Sequence, residues 1–257
     1  MDRDRGMKPF DAILFDLGST LIYLDAAWDD IWPAGDLALS AELRQSGLDL
    51  DEERFRTAFR QEMQAYYLER ETEFIEHTTY YILKNLLKEW GYTQTPEAVL
   101  RRALEAMYSV TQAHWQPETD ALPTLQALKA EGYRLALVSN AGDDQDVQQL
   151  VDKCGFRPYF EHVLTSAAAG IRKPNPRIFE MVLSEWNIPA RRAAMAGDTL
   201  GADILGARNA GLFSIWITRR ANSPDNRAHA DTIHPDAQIT TLAELPVLLR
   251  KLTDSAT

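Results

Sequence analysis

Four short stretches carry residues able to do chemistry together: "ILFDLGSTL" with Asp16, "LALVSN" with Ser139 and Asn140, "GIRKPNP" with Lys173, and "AGDTLGAD" with Asp198 and Asp203. Asp16 and Asp198 can offer carboxylate oxygens to a hard cation such as Mg²⁺, which keeps several waters and takes few protein ligands. Ser139, Lys173 and the backbone N–H groups of the turn after Asp16 can bind the oxygens of a phosphoryl group. Asp16 is then able to attack phosphorus in line, forming an aspartyl-phosphate that water later cleaves. The cation and the lysine offset the repulsion between the two anions. Taken singly, each residue has an ordinary explanation: a strand-end aspartate, a turn-forming Ser-Asn pair, a surface lysine, a helix-capping aspartate.

What must hold them together is a sheet. Residues 11–15, 133–138, 162–165, 193–196 and 213–217 read as short apolar strands, and each cluster follows one of them, the lysine after a short loop. Between the later strands lie helical patterns. Ile178, Phe179, Val182, Leu183 and Trp186 recur at helical spacing behind Pro176, and Leu122, Leu125 and Leu128 do so up to Gly132. Residues 200–210 read as a further helix closed by Gly211, and "ITTLAELPVLLRKL" as a last helix on the core. The alternation predicts an α/β fold with a doubly wound parallel sheet, Rossmann-like, in which ligands bind beyond the carboxyl ends of the strands. Residues far apart in sequence become neighbours at that edge.

One connection breaks the rhythm. About a hundred residues separate the first strand from the second, where a crossover needs about a dozen. Phe55, Phe59, Met63, Tyr66 and Tyr67 share one helical face, Tyr80, Leu83, Leu86, Leu87 and Trp90 another, and a further helix starts at Pro96. The reading is an all-α domain of residues 25–115 inserted into a core made of 8–24 and 116–257. Trp28 and Trp32, where the chain enters the insert, either pack inside it or face a substrate. "RRANSPDNRAHA", residues 219–230, reads as a polar surface loop.

These clusters in this order resemble the haloacid dehalogenase superfamily of Asp-nucleophile hydrolases, over residues from about 10 to 250, with the helical insert matching a C1-type cap (subfamily I). The resemblance implies that Asp16 is nucleophile and metal ligand and that Gly18 is a metal ligand through its carbonyl. It makes Ser139 and Asn140 phosphate-binding and Lys173 the lysine that stabilises nucleophile and phosphate. It further implies that Asp198 is a metal ligand and that Asp203 helps to hold the Mg²⁺. The phrase "GDTLGADILGARNAG" is similar to the branch acting on nucleotide and sugar phosphate monoesters. A Mg²⁺-dependent phosphatase of a small phosphorylated metabolite follows as the expectation.

Gly18 is the departure from that pattern. Most phosphatases of the family have a second aspartate there as general acid and base, and glycine can do neither; such a loss is worth ~10²–10⁴-fold in rate. His77 and His114 in the insert are candidates to substitute. Two alternatives stay open: a 2-haloacid dehalogenase, which shares a non-acidic residue at this position but needs no metal, and a non-catalytic phosphometabolite-binding protein.

Composition narrows the rest. The net charge is −11 and no run of Lys or Arg supplies a basic patch, which disfavours nucleic acid and anionic membrane surfaces as partners. A small anionic substrate is expected, with a monomer and a homodimer equally compatible. The single cysteine, Cys154, suits a reducing, cytoplasmic compartment, and no stretch approaches the ~18 apolar residues of a membrane span. The first six residues read as a start-site extension outside the fold. There is no H-E-x-x-H, C-x-x-C, Walker loop, G-x-S-x-G or G-x-G, which argues against zinc hydrolase, P-loop NTPase, serine esterase and nicotinamide dehydrogenase.

Overall fold

The structure, a computed structural model, describes residues 8–255; Met7 and the first six residues, set apart above, lie outside the described residues. Its core is a six-stranded parallel sheet built from β1 (Ala12–Phe15), β4 (Arg134–Ser139), β5 (His162–Thr165), β6 (Ala193–Gly197), β7 (Phe213–Ile217) and β8 (Ala237–Ile239). In space the order is β5-β4-β1-β6-β7-β8. The chain therefore builds outward from β1 on one side through β4 and β5, then crosses to the other side for β6, β7 and β8. Such a reversal leaves a crevice at the carboxyl ends of the central strands, β4, β1 and β6.

Register explains why the central strands are apolar throughout. Ala12 and Leu14 face one layer, with Ala136, Val138, Ala193 and Met195, against helix α8 (Arg177–Trp186) and Ala207 of α9 (Leu205–Ala210). Ile13 and Phe15 face the other, against α5 (Ala121–Ala130), α6 (Asp144–Lys153) and α11 (Leu245–Ser255). A strand covered on both faces has no solvent side, so alternation of polarity is lost while side chains still alternate in direction.

The insert forms α1 (Trp28–Gln45), α2 (Glu52–Glu73), α3 (Thr79–Glu89) and α4 (Glu97–His114). These four helices bury an apolar cluster of their own, with Leu39, Leu43, Phe55, Phe59, Leu83, Leu87 and Leu100 among its members. Asp51 and Thr78 cap α2 and α3 by accepting from the N–H groups of Arg54 and Tyr81. The chain enters and leaves the insert through two adjacent antiparallel strands, β2 (Ile22–Leu24) and β3 (Trp115–Pro117), with Leu24 opposite Trp115.

The sequence reading misses that small sheet, because three-residue strands are too short to show a period. It also misses edge strand β8 and helix α1, which contains Pro33. The predicted helix over 200–210 is a π-helical turn over Leu200–Ile204 followed by α9. Residues 219–230 are not simply a surface loop, since they contain helix α10 (Pro224–His229) with Asn226 buried. Among the described residues no helix is long and apolar enough to cross a membrane.

Candidate active site

Strand β1 delivers Asp16 to the crevice, its N–H donating to the Ala196 carbonyl of β6 (3.0 Å). Lys173, 2% exposed, extends beneath it. The lysine Nζ donates to Asp16 Oδ1 (2.7 Å), Asp203 Oδ1 (2.6 Å) and the Val138 carbonyl (2.8 Å). An ammonium has three N–H donors, so all are spent. Lys173 thus acts on an anion beside Asp16 through its charge unless one of these bonds gives way.

Asn140 holds that lysine in place. Its Nδ2 donates to the Lys173 carbonyl (3.0 Å) and its Oδ1 accepts the Lys173 N–H (2.9 Å), which uses one of the two Nδ2 N–H groups, so the side chain can hold the lysine and still donate to another acceptor. Ser139, at the end of β4, is buried, and no partner among the described residues engages its hydroxyl.

Asp198 follows β6 and accepts long hydrogen bonds from Thr20 and Thr199 hydroxyls (3.4 Å each), but stands in no ion pair among the described residues. Asp203 lies one π-helical turn further, its Oδ2 accepting the Thr199 N–H (2.9 Å). Gly197 is what lets it come so close, for a Cβ there would meet Asp203 Oδ2 at 2.3 Å. Oxygens of Asp16, Asp198 and Asp203 lie within 4.8 Å of one another.

Three buried carboxylates therefore share one ammonium. Burial pushes the Asp16 carboxyl up to about 6 despite Lys173, and pushes Asp198 up to about 8, with Asp16 and Asp203 adding repulsion. Burial also works against the Lys173 charge, yet Asp16 and Asp203 outweigh it and hold its pKa above the ordinary value. An all-oxygen donor set with surplus negative charge, and a carboxylate lacking any cationic partner, fits a hard divalent cation.

Gly18 begins the turn after Asp16. A Cβ added to it would touch the Trp115 ring at 3.5 Å. Trp115 packs edge-on against Trp28 (6.0 Å between centroids), Trp28 stacks on Trp32 (5.4 Å), and Trp32 approaches Tyr67 (6.5 Å). The two tryptophans of the entry segment thus belong to an aromatic row that reaches the position where a second acid is absent. Trp28 remains 40% exposed, so packing does not use it up.

The two histidines of the insert are elsewhere. His114 pairs with Asp25 (3.0 Å), and His77 stacks on Tyr66 (5.6 Å) and contacts Tyr81 (5.3 Å); neither bonds to the groups at the sheet edge.

A second contact between insert and core lies next to the lysine. Glu76 and Arg172, both buried, pair at 3.1 Å. Glu76 also accepts from Tyr66 (2.6 Å) and from Ser166 (2.7 Å), whose Oγ accepts the Ala141 N–H (2.9 Å). Backbone bonds run alongside, Arg172 N–H to Phe74 C=O (3.1 Å) and Thr79 N–H to Gly142 C=O (2.8 Å). Sequence reasoning misses this network and Trp115. Arg172 adjoins Lys173 in "GIRKPNP", but nothing local announces a carboxylate partner 96 positions away.

Comparison with known proteins agrees with this architecture. The sequence model of haloacid dehalogenase-like hydrolases matches residues 10–211. A glyceraldehyde 3-phosphate phosphatase of Methanothermobacter thermautotrophicus is 30% identical over 80% of this chain and 84% of its own length. One from Methanopyrus kandleri is 29% identical over 71% and 83% respectively. A phosphoserine phosphatase of Thermus thermophilus is 36% identical over half of each chain. Among solved structures, a 2-haloacid dehalogenase from Pseudomonas syringae superposes with a TM-score of 0.65 at 25% identity, covering 94% of this chain and 99% of that one. A phosphatase of Thermococcus onnurineus gives 0.61 at 24%, covering 93% and 97%. A family match over residues 10–211, together with a relative 30% identical over 84% of its own length, has one meaning: the chain belongs to the haloacid dehalogenase-like hydrolases.

Proposed function

We propose that the protein is a Mg²⁺-dependent phosphatase that hydrolyses a small phosphorylated metabolite, of the sugar phosphate or nucleoside monophosphate class, through an aspartyl-phosphate on Asp16. The observation that carries this reading is the buried trio of Asp16, Asp198 and Asp203 around one lysine, with Asp198 lacking a cation. Relatives named for glyceraldehyde 3-phosphate and phosphoserine support a small phosphomonoester.

In this mechanism the Asp16 oxygen not bonded to Lys173 attacks phosphorus as the bond to the leaving alkoxide breaks. Water then attacks the aspartyl-phosphate, releases inorganic phosphate and returns the carboxylate. Lys173 keeps Asp16 oriented and opposes its negative charge. Ser139 Oγ and the backbone N–H groups after Asp16 and at Asn140 bind phosphoryl oxygens. Asp16, the Gly18 carbonyl, Asp198 and Asp203 would hold Mg²⁺, which would supply positive charge to offset these anions. With glycine at position 18, the alkoxide takes its proton from water, which costs part of the ~10²–10⁴-fold that a positioned acid contributes. Residues 25–115 act as a cap over a core of 8–24 and 116–257, excluding bulk water when closed. Cytoplasmic location completes the proposal, in keeping with the lone, partly buried Cys154.

The test is phosphate release from sugar phosphates, nucleoside monophosphates, phosphoserine, glyceraldehyde 3-phosphate and p-nitrophenyl phosphate, with Mg²⁺ or EDTA. Metal-dependent release that falls by at least ~10⁴-fold in Asp16→Asn, with the fold intact, is the expected result. Halide release from 2-haloacids unaffected by EDTA, the outcome to which Gly18 would be suited, overturns the reading. So does phosphate binding without turnover of any ester.

A further inference from the structure

Helix α10 interrupts the 219–230 segment with a buried asparagine. Asn226 is 3% exposed, and both of its side-chain polar atoms are engaged. Its Oδ1 accepts the Leu200 N–H (2.7 Å), while Nδ2 donates to the Asp198 carbonyl (2.8 Å) and the Ala221 carbonyl (2.9 Å). One amide thereby grips the turn that carries Asp198 on both sides of Thr199. The orientation of the amide follows from its partners, since an N–H needs the oxygen and two carbonyls need the NH₂. Asn226 is itself set by Ser223, whose Oγ accepts its backbone N–H (3.1 Å) and caps α10.

The Asp198 carbonyl receives a second donor, the Trp216 indole N–H (2.8 Å). Two side chains from outside the turn therefore converge on the backbone of a residue whose own carboxylate, among the described residues, accepts two long side-chain hydrogen bonds from hydroxyls. The Asp198 carboxylate lies among those of Asp16 and Asp203, so its position depends on how its backbone is held: the Thr199 N–H to Asp203 Oδ2 ties the turn on the site side, and Asn226 and Trp216 tie it from behind.

We propose that Asn226 is a positioning residue for the proposed metal centre: its amide clamps the 198–200 turn so that the Asp198 carboxylate stays with Asp16 and Asp203, and it thereby determines the affinity for a divalent cation. This rests on the metal-dependent reading above. Asn226 touches neither cation nor substrate; it acts through the Asp198 backbone.

The experiment titrates Mn²⁺ into the full-length protein, without substrate, following free Mn²⁺ by electron paramagnetic resonance. Asn226→Ala is expected to weaken binding by roughly 10–100-fold, the usual consequence of removing an outer-sphere partner of a metal site. Ile233→Ala serves as the structural control. It thins the small cluster of Leu200, Ile204 and Ile233 nearby without touching the hydrogen bonds of the turn, and should lower the melting temperature while changing affinity less than twofold. Trp216→Phe, which removes one donor from the same carbonyl and keeps an aromatic ring, should weaken Mn²⁺ by about 2–10-fold, the worth of one neutral hydrogen bond. It also provides the measurement should Asn226→Ala fail to fold. Wild-type affinity in either variant overturns the proposal. Loss of affinity in Ile233→Ala equal to that in Asn226→Ala also overturns it, because general loosening would then account for both. Absence of Mn²⁺ binding to the wild-type protein overturns the metal-dependent reading itself, and this inference with it.

Discussion

The sheet edge and the helical insert meet at the same crevice with opposite chemistry. On the sheet side, Asp16, Lys173, Asp198 and Asp203 are all buried, and carboxylates outnumber ammonium by three to one. On the insert side the row is Trp115, Trp28, Trp32 and Tyr67, where Arg60 lies over the Trp32 ring (4.9 Å) with its charge met by Asp36. On the sheet side burial, together with an excess of negative charge, raises the pKa of Asp198; the insert side presents aromatic rings and a paired charge. Rings that exclude water strengthen every charge interaction they cover, so the neutral half raises the stakes of the charged one. The two halves are joined at Glu76 and Arg172, a buried pair that bridges them beside the lysine.

The comparison breaks most severely if the lysine goes. Lys173→Met strands Asp16 and Asp203 as buried carboxylates without their ammonium, a change worth about 3–5 kcal/mol. The loss should be smaller near pH 5, below the value of about 6 to which burial pushes the Asp16 carboxyl, than near pH 8, where Asp16 is charged. Urea unfolding at the two pH values checks this, and equal losses would show that charge is not the cause.

Next comes the tie between the halves. Glu76→Gln keeps the shape but leaves Arg172 without its carboxylate, at a cost of about 3 kcal/mol. The insert should loosen from the core, seen as faster hydrogen exchange at residues 74–79 and 140–142 and a raised KM with a smaller change in kcat. Unchanged exchange would detach this pair from insert–core coupling.

Asp146 sharpens the contrast, because it is a half-buried carboxylate between core and insert with no cationic partner among the described residues. Its side chain accepts from Gln112 of α4 (2.9 Å), and burial pushes its carboxyl up to about 7. Between the unfolded value near 3.8 and about 7, the folded state keeps a proton that the unfolded chain has lost, so this residue lowers stability as pH rises through that window. Asp146→Asn preserves the acceptor and removes the charge. Stability of the variant relative to wild type should rise from pH 4 to 7 and then level, by at most roughly 4 kcal/mol at 1.36 kcal/mol per pK unit. A parallel pH profile for the two proteins would rule the carboxyl out.

The smallest effect concerns the boundary itself. Gly18→Asp adds an acid where Trp115 stands in ordinary contact with the new Cβ, so the backbone tolerates it. Turnover of alkyl phosphates, whose leaving groups need a proton, should rise about tenfold, and that of p-nitrophenyl phosphate little. Equal changes for both ester types would exclude a role in protonation.

Much of the sheet side was legible from sequence. Asp16, Ser139 and Asp198 each follow an apolar run, and a parallel sheet brings all its strand ends to one edge, so their convergence needs only the period and the order of elements. The insert announced itself by length and by helical periodicity in Phe55, Phe59, Leu83 and Leu87. Trp115, Glu76, Arg172 and Asn226 gave no such signal. Each matters because of a partner that the chain reaches only after a long excursion, and Asn226 sits in a run whose polarity is that of an exposed loop.

Sequence alone indicated the α/β class, the strands β1, β4, β5, β6 and β7 in their order and the chemical types at the strand ends, because local patterning encodes which faces must be buried. Tertiary structure decided that the lysine spends all three donors, that Asn140 serves the lysine, that Trp115 faces the vacant Cβ position of Gly18 and that an asparagine from α10 grips the Asp198 turn. Those are matters of which group satisfies which donor or acceptor, and a hydrogen bond between residues far apart in the chain has no local pattern from which to read it.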